Sequence, residues 1–227
     1  MNAINHAATA LLLKKRWPDL PLLPALISVQ LIEFLWVFLN LAGVEVTTTE
    51  PTVRAMNDIH LAYMPYSHSV GATLLIAAVS WFLFAKVLRK PQWALPVALG
   101  ILSHIVLDIA VHARDIELLP GILPLRIGTG LYDIPTVAFA VEILYGVLCW
   151  RIFGGTRQLL IAIIALNLAS ISFYVPQIPG PEMLLAGHPK IFAAVILVHI
   201  ILGLSVIGWF ACVKPQPALA GAPARSR

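Results

Sequence analysis

The chain has 227 residues, 59% of them hydrophobic and 11% charged, with a mean hydropathy of +0.88. Soluble domains carry roughly 25% charged residues, which excludes a soluble enzyme and indicates an integral membrane protein. The formal charge of +4 implies no nucleic-acid partner, because the basic residues flank apolar runs and form no stripe.

In chain order, AATALLL (7–13) precedes Lys14, Lys15 and Arg16. A secretory signal has the opposite order, charges before the apolar stretch. Residues 1–20 are therefore expected to be a cytoplasmic N-terminal segment, an amphipathic or re-entrant helix, with the first span as an uncleaved anchor.

Apolar runs of about 20 residues suffice to cross a hydrocarbon core of ~30 Å. They fall at 21–43, 69–88, 93–112, 131–153, 157–176 and 190–213. Breakers separate them: Pro18 and Pro21, Lys90-Pro91, Gly154-Gly155, and PQIPGPE (176–182). The expected fold is all-α, polytopic, with six transmembrane helices in an antiparallel bundle over 21–213 and a disordered cytoplasmic tail over 214–227.

Lys and Arg concentrate in short cytoplasmic loops. With the N-terminus inside, Lys14, Lys15, Arg16, Lys86, Arg89, Lys90, Arg151, Arg157, Lys214, Arg225 and Arg227 lie inside, against Arg54, Arg114, Arg126 and Lys190 outside. Both termini are expected in the cytoplasm. Cys149 and Cys212 have no metal-type spacing, and nothing in the sequence sets the oligomeric state.

An ionisable residue in a span costs about 2.5–3.5 kcal/mol on insertion scales and calls for a partner. Glu33, His104, Asp108 and Glu142 all fall in helix interiors. In LSHIVLDIAVH (102–112), His104 and Asp108 are four apart and share a helix face, whereas His112 lies ~12 Å along the axis from His104, at an outer mouth. Gln30, Glu33 and Asn40 form a polar stripe on the first span, and in YMPYSHSV (63–70) either Ser67 or Ser69 can cap the next helix, leaving His68 at its outer end. Glu142 and Asp133 would occupy opposite faces, and depth favours Glu142.

Imidazole and carboxylate together suit zinc, manganese or iron. Three protein ligands and an open position are the pattern of a catalytic ion that activates water. The bland alternative is a buried His–Asp couple that fixes helix packing. His60 and His188 read as loop residues, His199 as a lone imidazole, and Asn167, Ser170 and Ser172 as interhelical hydrogen-bonding groups.

INHAA (4–8), QLIEFLWVFLNLAGVE (30–45), YMPYSHSV, LSHIVLDIAVH and GLYDIPTVAFAVE (130–142) together resemble the inner-membrane metal-dependent hydrolases of bacteria. That family looks distantly similar to zinc-dependent phospholipase C and the P1-type nucleases. The resemblance covers about the first 150 residues and matches the family's positions at His6, Glu33, His68, His104 and Asp108. The chain departs from the family's Pro-Asp-x-Asp setting, with Ile32-Glu33-Phe34-Leu35 in its place.

The expectation is thus a hydrolase of the bacterial cytoplasmic membrane. Its metal, zinc first and manganese or iron as alternatives, would be held by His68, His104, Asp108 and Glu33, with Glu142 as general base. His6, His112 and Asp133 are additional candidates, and His6 can join only if residues 3–13 dip into the bundle as a helix. The implied substrate is a membrane lipid or lipid-linked ester, the phosphoester part resting on the resemblance alone. Two other classes stay open: a cation- or proton-coupled transporter using Glu33, Asp108 and Glu142, and a non-catalytic assembly protein.

Overall fold

The computed structural model describes residues 1–212, and the tail expected at 214–227 lies outside them. Seven α-helices dominate: α1 (Ala3–Arg16), α2 (Leu22–Ala42), α3 (Val70–Phe82, continued as a π-helix over Leu83–Val87), α4 (Pro91–Ile109), α5 (Pro135–Phe153), α6 (Arg157–Leu168) and α7 (Pro189–Ala211). Local chemistry starts them. Pro91, Pro135 and Pro189 occupy first-turn positions where a missing N–H costs nothing, and Ser69 and Thr156 cap α3 and α6 by accepting from Ala72 N and Leu159 N.

Five helices are long and apolar enough to cross a membrane: α2, α3 with its π extension, α4, α5 and α7. The sixth expected span, 157–176, is replaced by the 12-residue α6 and a 3-10 turn at Ile171–Phe173. At 1.5 Å per residue α6 is about 18 Å long, short of the ~30 Å hydrocarbon layer.

The all-α expectation also needs amending. Two small antiparallel hairpins, β1 (Val46–Thr49) with β2 (Ile59–Tyr63) and β3 (Ile116–Leu119) with β4 (Leu123–Ile127), occupy the segments between spans. They join into one cap. Leu61 N donates to Asp115 across the two hairpins, Ser69 bridges to Glu117, and Gly187 N donates to Thr49.

Helix α1 is too short to span, about 21 Å for 14 residues, yet it is inside the bundle. Residues Ile4 to Leu11 are all buried, and α1 packs against α5, α7, α2 and α4. It runs from the bundle interior at Met1 to the basic end Lys14–Arg16, where positive charge complements the helix dipole. Two glycines make room. A Cβ on Gly146 of α5 would lie 2.8 Å from Asn5 Oδ1, and one on Gly100 of α4 would lie 2.1 Å from Ser28 Oγ on α2.

Candidate metal centre

Four elements converge near the cap. Helix α4 supplies His104 and Asp108 one turn apart, α2 supplies Glu33, the turn before α3 supplies His68, and α1 supplies His6. His104 is fully buried, and Asp108, His6 and His68 are at most 5% exposed. Burying so many titratable groups in an apolar bundle is costly unless they are paired or hold a cation.

The distances are regular. His104 Nε2 is 3.2 Å from Glu33 Oε2 and 3.2 Å from Asp108 Oδ2. His68 Nε2 is 3.2 Å from Glu33 Oε2 and 3.6 Å from Asp108 Oδ2. A tetrahedral ion with bonds of 2.0–2.1 Å has ligand–ligand edges of roughly 3.3 Å, a length these separations approach, and the candidate ligand atoms fall into two overlapping groups that share His104, one of Glu33, His68 and His104 and one of His6, His104 and Asp108.

The proton count points the same way. His104 Nδ1 is 3.0 Å from the Val29 carbonyl oxygen, which only accepts, so Nδ1 carries a hydrogen. In the neutral ring Nε2 is then a lone pair, and it faces two carboxylate oxygens. His104 Nε2 and Asp108 Oδ2 have no hydrogen-bond partner among the described residues. Acceptors that face one another at 3.2 Å need positive charge between them, from added protons or from a cation.

Asp108 uses its other oxygen differently. Oδ1 accepts from His6 Nε2 at 3.1 Å and from the Met1 amine at 2.6 Å. The His6 ring stacks on His104 with centroids 3.9 Å apart, and its Nδ1 has no partner among the described residues. Residues 3–16 thus form the dipping helix that His6 required. Its Nε2 meets the outer oxygen of Asp108, while His104 and His68 meet the inner one.

The remaining candidates separate. His112 Nε2 stands 3.9 Å from Asp108 Oδ1, its Nδ1 lies 3.8 Å from Asp115, and the ring packs edge-on to Tyr132. It borders the centre without entering the shell. Asp133 is exposed beside Gly130 and is not brought to the centre.

Glu142 is buried but already engaged. It accepts from the Asn2 backbone N–H at 3.0 Å, from Asn5 Nδ2, and from the hydroxyls of Tyr132 and Tyr174 at 3.2 Å each. Burial, reinforced for Tyr132 by Tyr174 and Glu142 and for Tyr174 by Glu142, pushes both phenols well above their ordinary range, so they stay neutral donors. Glu142 anchors the start of α1, and both its oxygens already accept hydrogen bonds from protein donors.

A cavity of about 90 Å³ opens beside the cluster, with Glu33, His68, Asp108 and His112 at its polar end. Trp36, Phe173, Phe192 and Ile196 supply apolar wall, and His199 of α7 also lines it. His199 Nδ1 donates to the Val195 carbonyl at 2.9 Å. Read from sequence as a lone imidazole, it is a cavity residue; its position two helices beyond the recognisable segments hid this. Asn5, Tyr132 and Tyr174 were likewise missed, since neutral side chains give no signal until a buried carboxylate demands donors.

Compared with protein-family models, with curated proteins and with solved structures, the chain matches none. The chemistry of the centre therefore rests on its own geometry.

Proposed function

We propose that the protein is a multi-pass membrane hydrolase that uses one divalent cation, zinc by preference, to cleave an ester of an amphiphilic substrate. The observation that carries this is that the Nε2 atoms of His104 and His68 each stand 3.2–3.6 Å from Glu33 Oε2 and from Asp108 Oδ2, close to the ligand–ligand spacing of a small cation's shell. A cation there supplies Lewis acidity and brings the pKa of a water to near 7.

The residues divide the remaining work. His68, His104 and Asp108 would hold the ion, and their side chains are at most 5% exposed. The Glu33 side chain is 19% exposed and borders the cavity. It is the candidate ligand on the cavity side, where its carboxylate would be placed to accept a proton from a water. The apolar walls receive the hydrocarbon part of the substrate, and His112 and His199 are placed to contact its polar part. A lipid phosphoester is the preferred substrate, on the strength of the resemblance in five sequence segments.

The basic ends of α1, α3 and α5 support a cytoplasmic side there, which would turn the centre and the cap away from the cytoplasm of a bacterial inner membrane. Metal analysis of detergent-purified protein is the decisive experiment. Wild type is expected to hold about one equivalent, His104→Ala close to none, and Glu33→Gln to keep metal while losing hydrolysis of bis(p-nitrophenyl) phosphate or p-nitrophenyl butyrate. Equal traces in wild type and His104→Ala would sink the proposal, and pH-dependent ion flux from metal-free protein in vesicles would favour a transporter.

A further inference from the structure

His68 is oriented by a relay that begins at Glu45. The C-terminus of α2 is closed by Gly43 in the left-handed conformation (φ 74°), and the N–H groups of Val44 and Glu45 both return to the Leu39 carbonyl. This reversal buries the Glu45 side chain, 1% exposed, beneath the turn that carries His68. Glu45 Oε1 accepts the backbone N–H groups of Tyr66 at 2.8 Å and Ser67 at 2.9 Å, and Oε2 accepts from the Ser67 hydroxyl. Ser67 Oγ in turn lies 3.0 Å from His68 Nδ1.

A serine hydroxyl has one proton, and a carboxylate only accepts. With that proton given to Glu45, Ser67 Oγ can meet His68 Nδ1 only as an acceptor, so Nδ1 carries the hydrogen. In the neutral ring Nε2 is left as the lone pair, directed at Glu33 Oε2 and Asp108 Oδ2. We propose that Glu45, acting through Ser67, is a positioning residue that sets the tautomer of His68 so that Nε2 is free to bind the cation. Partners that fix a ligand histidine's tautomer typically govern metal affinity by 10–100-fold.

Glu45→Gln separates this role from support of the turn. The amide oxygen of Gln can still accept from Tyr66 and Ser67, while its NH₂ donates to Ser67 Oγ where the carboxylate accepted. The serine proton is then released toward His68 Nδ1, and the ring's own hydrogen moves to Nε2. Thermal unfolding should change little, whereas affinity for Zn²⁺ should fall 10–100-fold. In a Ser67→Ala background the relay is already cut, so adding Glu45→Gln should change affinity by less than about twofold.

The proposal rests on the metal-centre reading, and a second readout keeps the two apart. Metal-free protein carrying ¹⁵N-labelled histidine, held about two pH units above the ordinary imidazole pKa, reports the His68 tautomer directly. The expected result is hydrogen on Nδ1 in wild type, with or without a second on Nε2 between the two carboxylates, and on Nε2 alone in Glu45→Gln. Any other pair of states overturns the relay, as does an equal Glu45→Gln effect with and without the Ser67 hydroxyl. A correct tautomer switch in a protein that binds no metal leaves the relay standing and removes the metal-centre reading instead.

Discussion

A buried carboxylate in a span announces a partner but not which one, and Glu33 and Glu142 show the two outcomes. Glu33 meets imidazole nitrogens and a cavity, while Glu142 meets amide and phenol donors. Glu142→Leu leaves those donors unpaired and should cost about 3–5 kcal/mol of stability, as for a broken buried charged network, visible as early thermal unfolding in detergent. Glu142→Gln should cost less, about 1–3 kcal/mol, with activity per folded molecule retained; selective loss of activity in a stable Glu142→Gln protein would make it the general base after all. Trp36 offers a complementary test. Its indole N–H is buried on the cavity wall without a partner among the described residues, so Trp36→Phe should leave the unfolding temperature unchanged or raised, because an unsatisfied donor is removed.

At the scale of elements, α4 was legible from its four-residue spacing because a helix row needs no tertiary information to be seen. The lengths of α1 and α6 were not. A span-length hydropathy window passes over a 14-residue helix, and counting Lys14–Arg16 correctly identifies the basic end of α1 while saying nothing of where its other end lies. For α6, the apolar run to residue 176 signals burial, not continuity, and Asn167 near its end pairs with Asn5 of α1. The seat of α1 can be tested at Gly146, where any side chain meets Asn5 and Ile163 at 2.8 Å. Gly146→Leu should unseat the start of α1 and weaken metal binding through the loss of His6 support at Asp108, while the helix content measured by circular dichroism stays near that of wild type.

For the whole molecule, composition alone led to a membrane protein, and five apolar helices carry that conclusion. The cap was not read beforehand because its strands are only four or five residues each, at the short limit of what alternation can signal. The proposed sidedness rests on the basic helix ends and can be measured with thiols. Cys149 is buried and Cys212 exposed at the end of α7. In intact cells a membrane-impermeant maleimide should label Ile122→Cys, at the tip of the second hairpin, and spare Cys212; the reverse pattern would invert the orientation.

The clustered side chains at positions 6, 33, 68, 104 and 108 all precede α5 in the chain. During synthesis every donor atom therefore emerges before the last three helices exist. Yet α1, which brings His6 to Asp108, packs on α5 and α7. An ion could meet its ligands early, in a half-built bundle still open on one side, and be enclosed only when the final helices arrive. Metal supply would then act on the yield of assembled protein as well as on its chemistry, since anything that binds the folded state alone stabilises it by mass action.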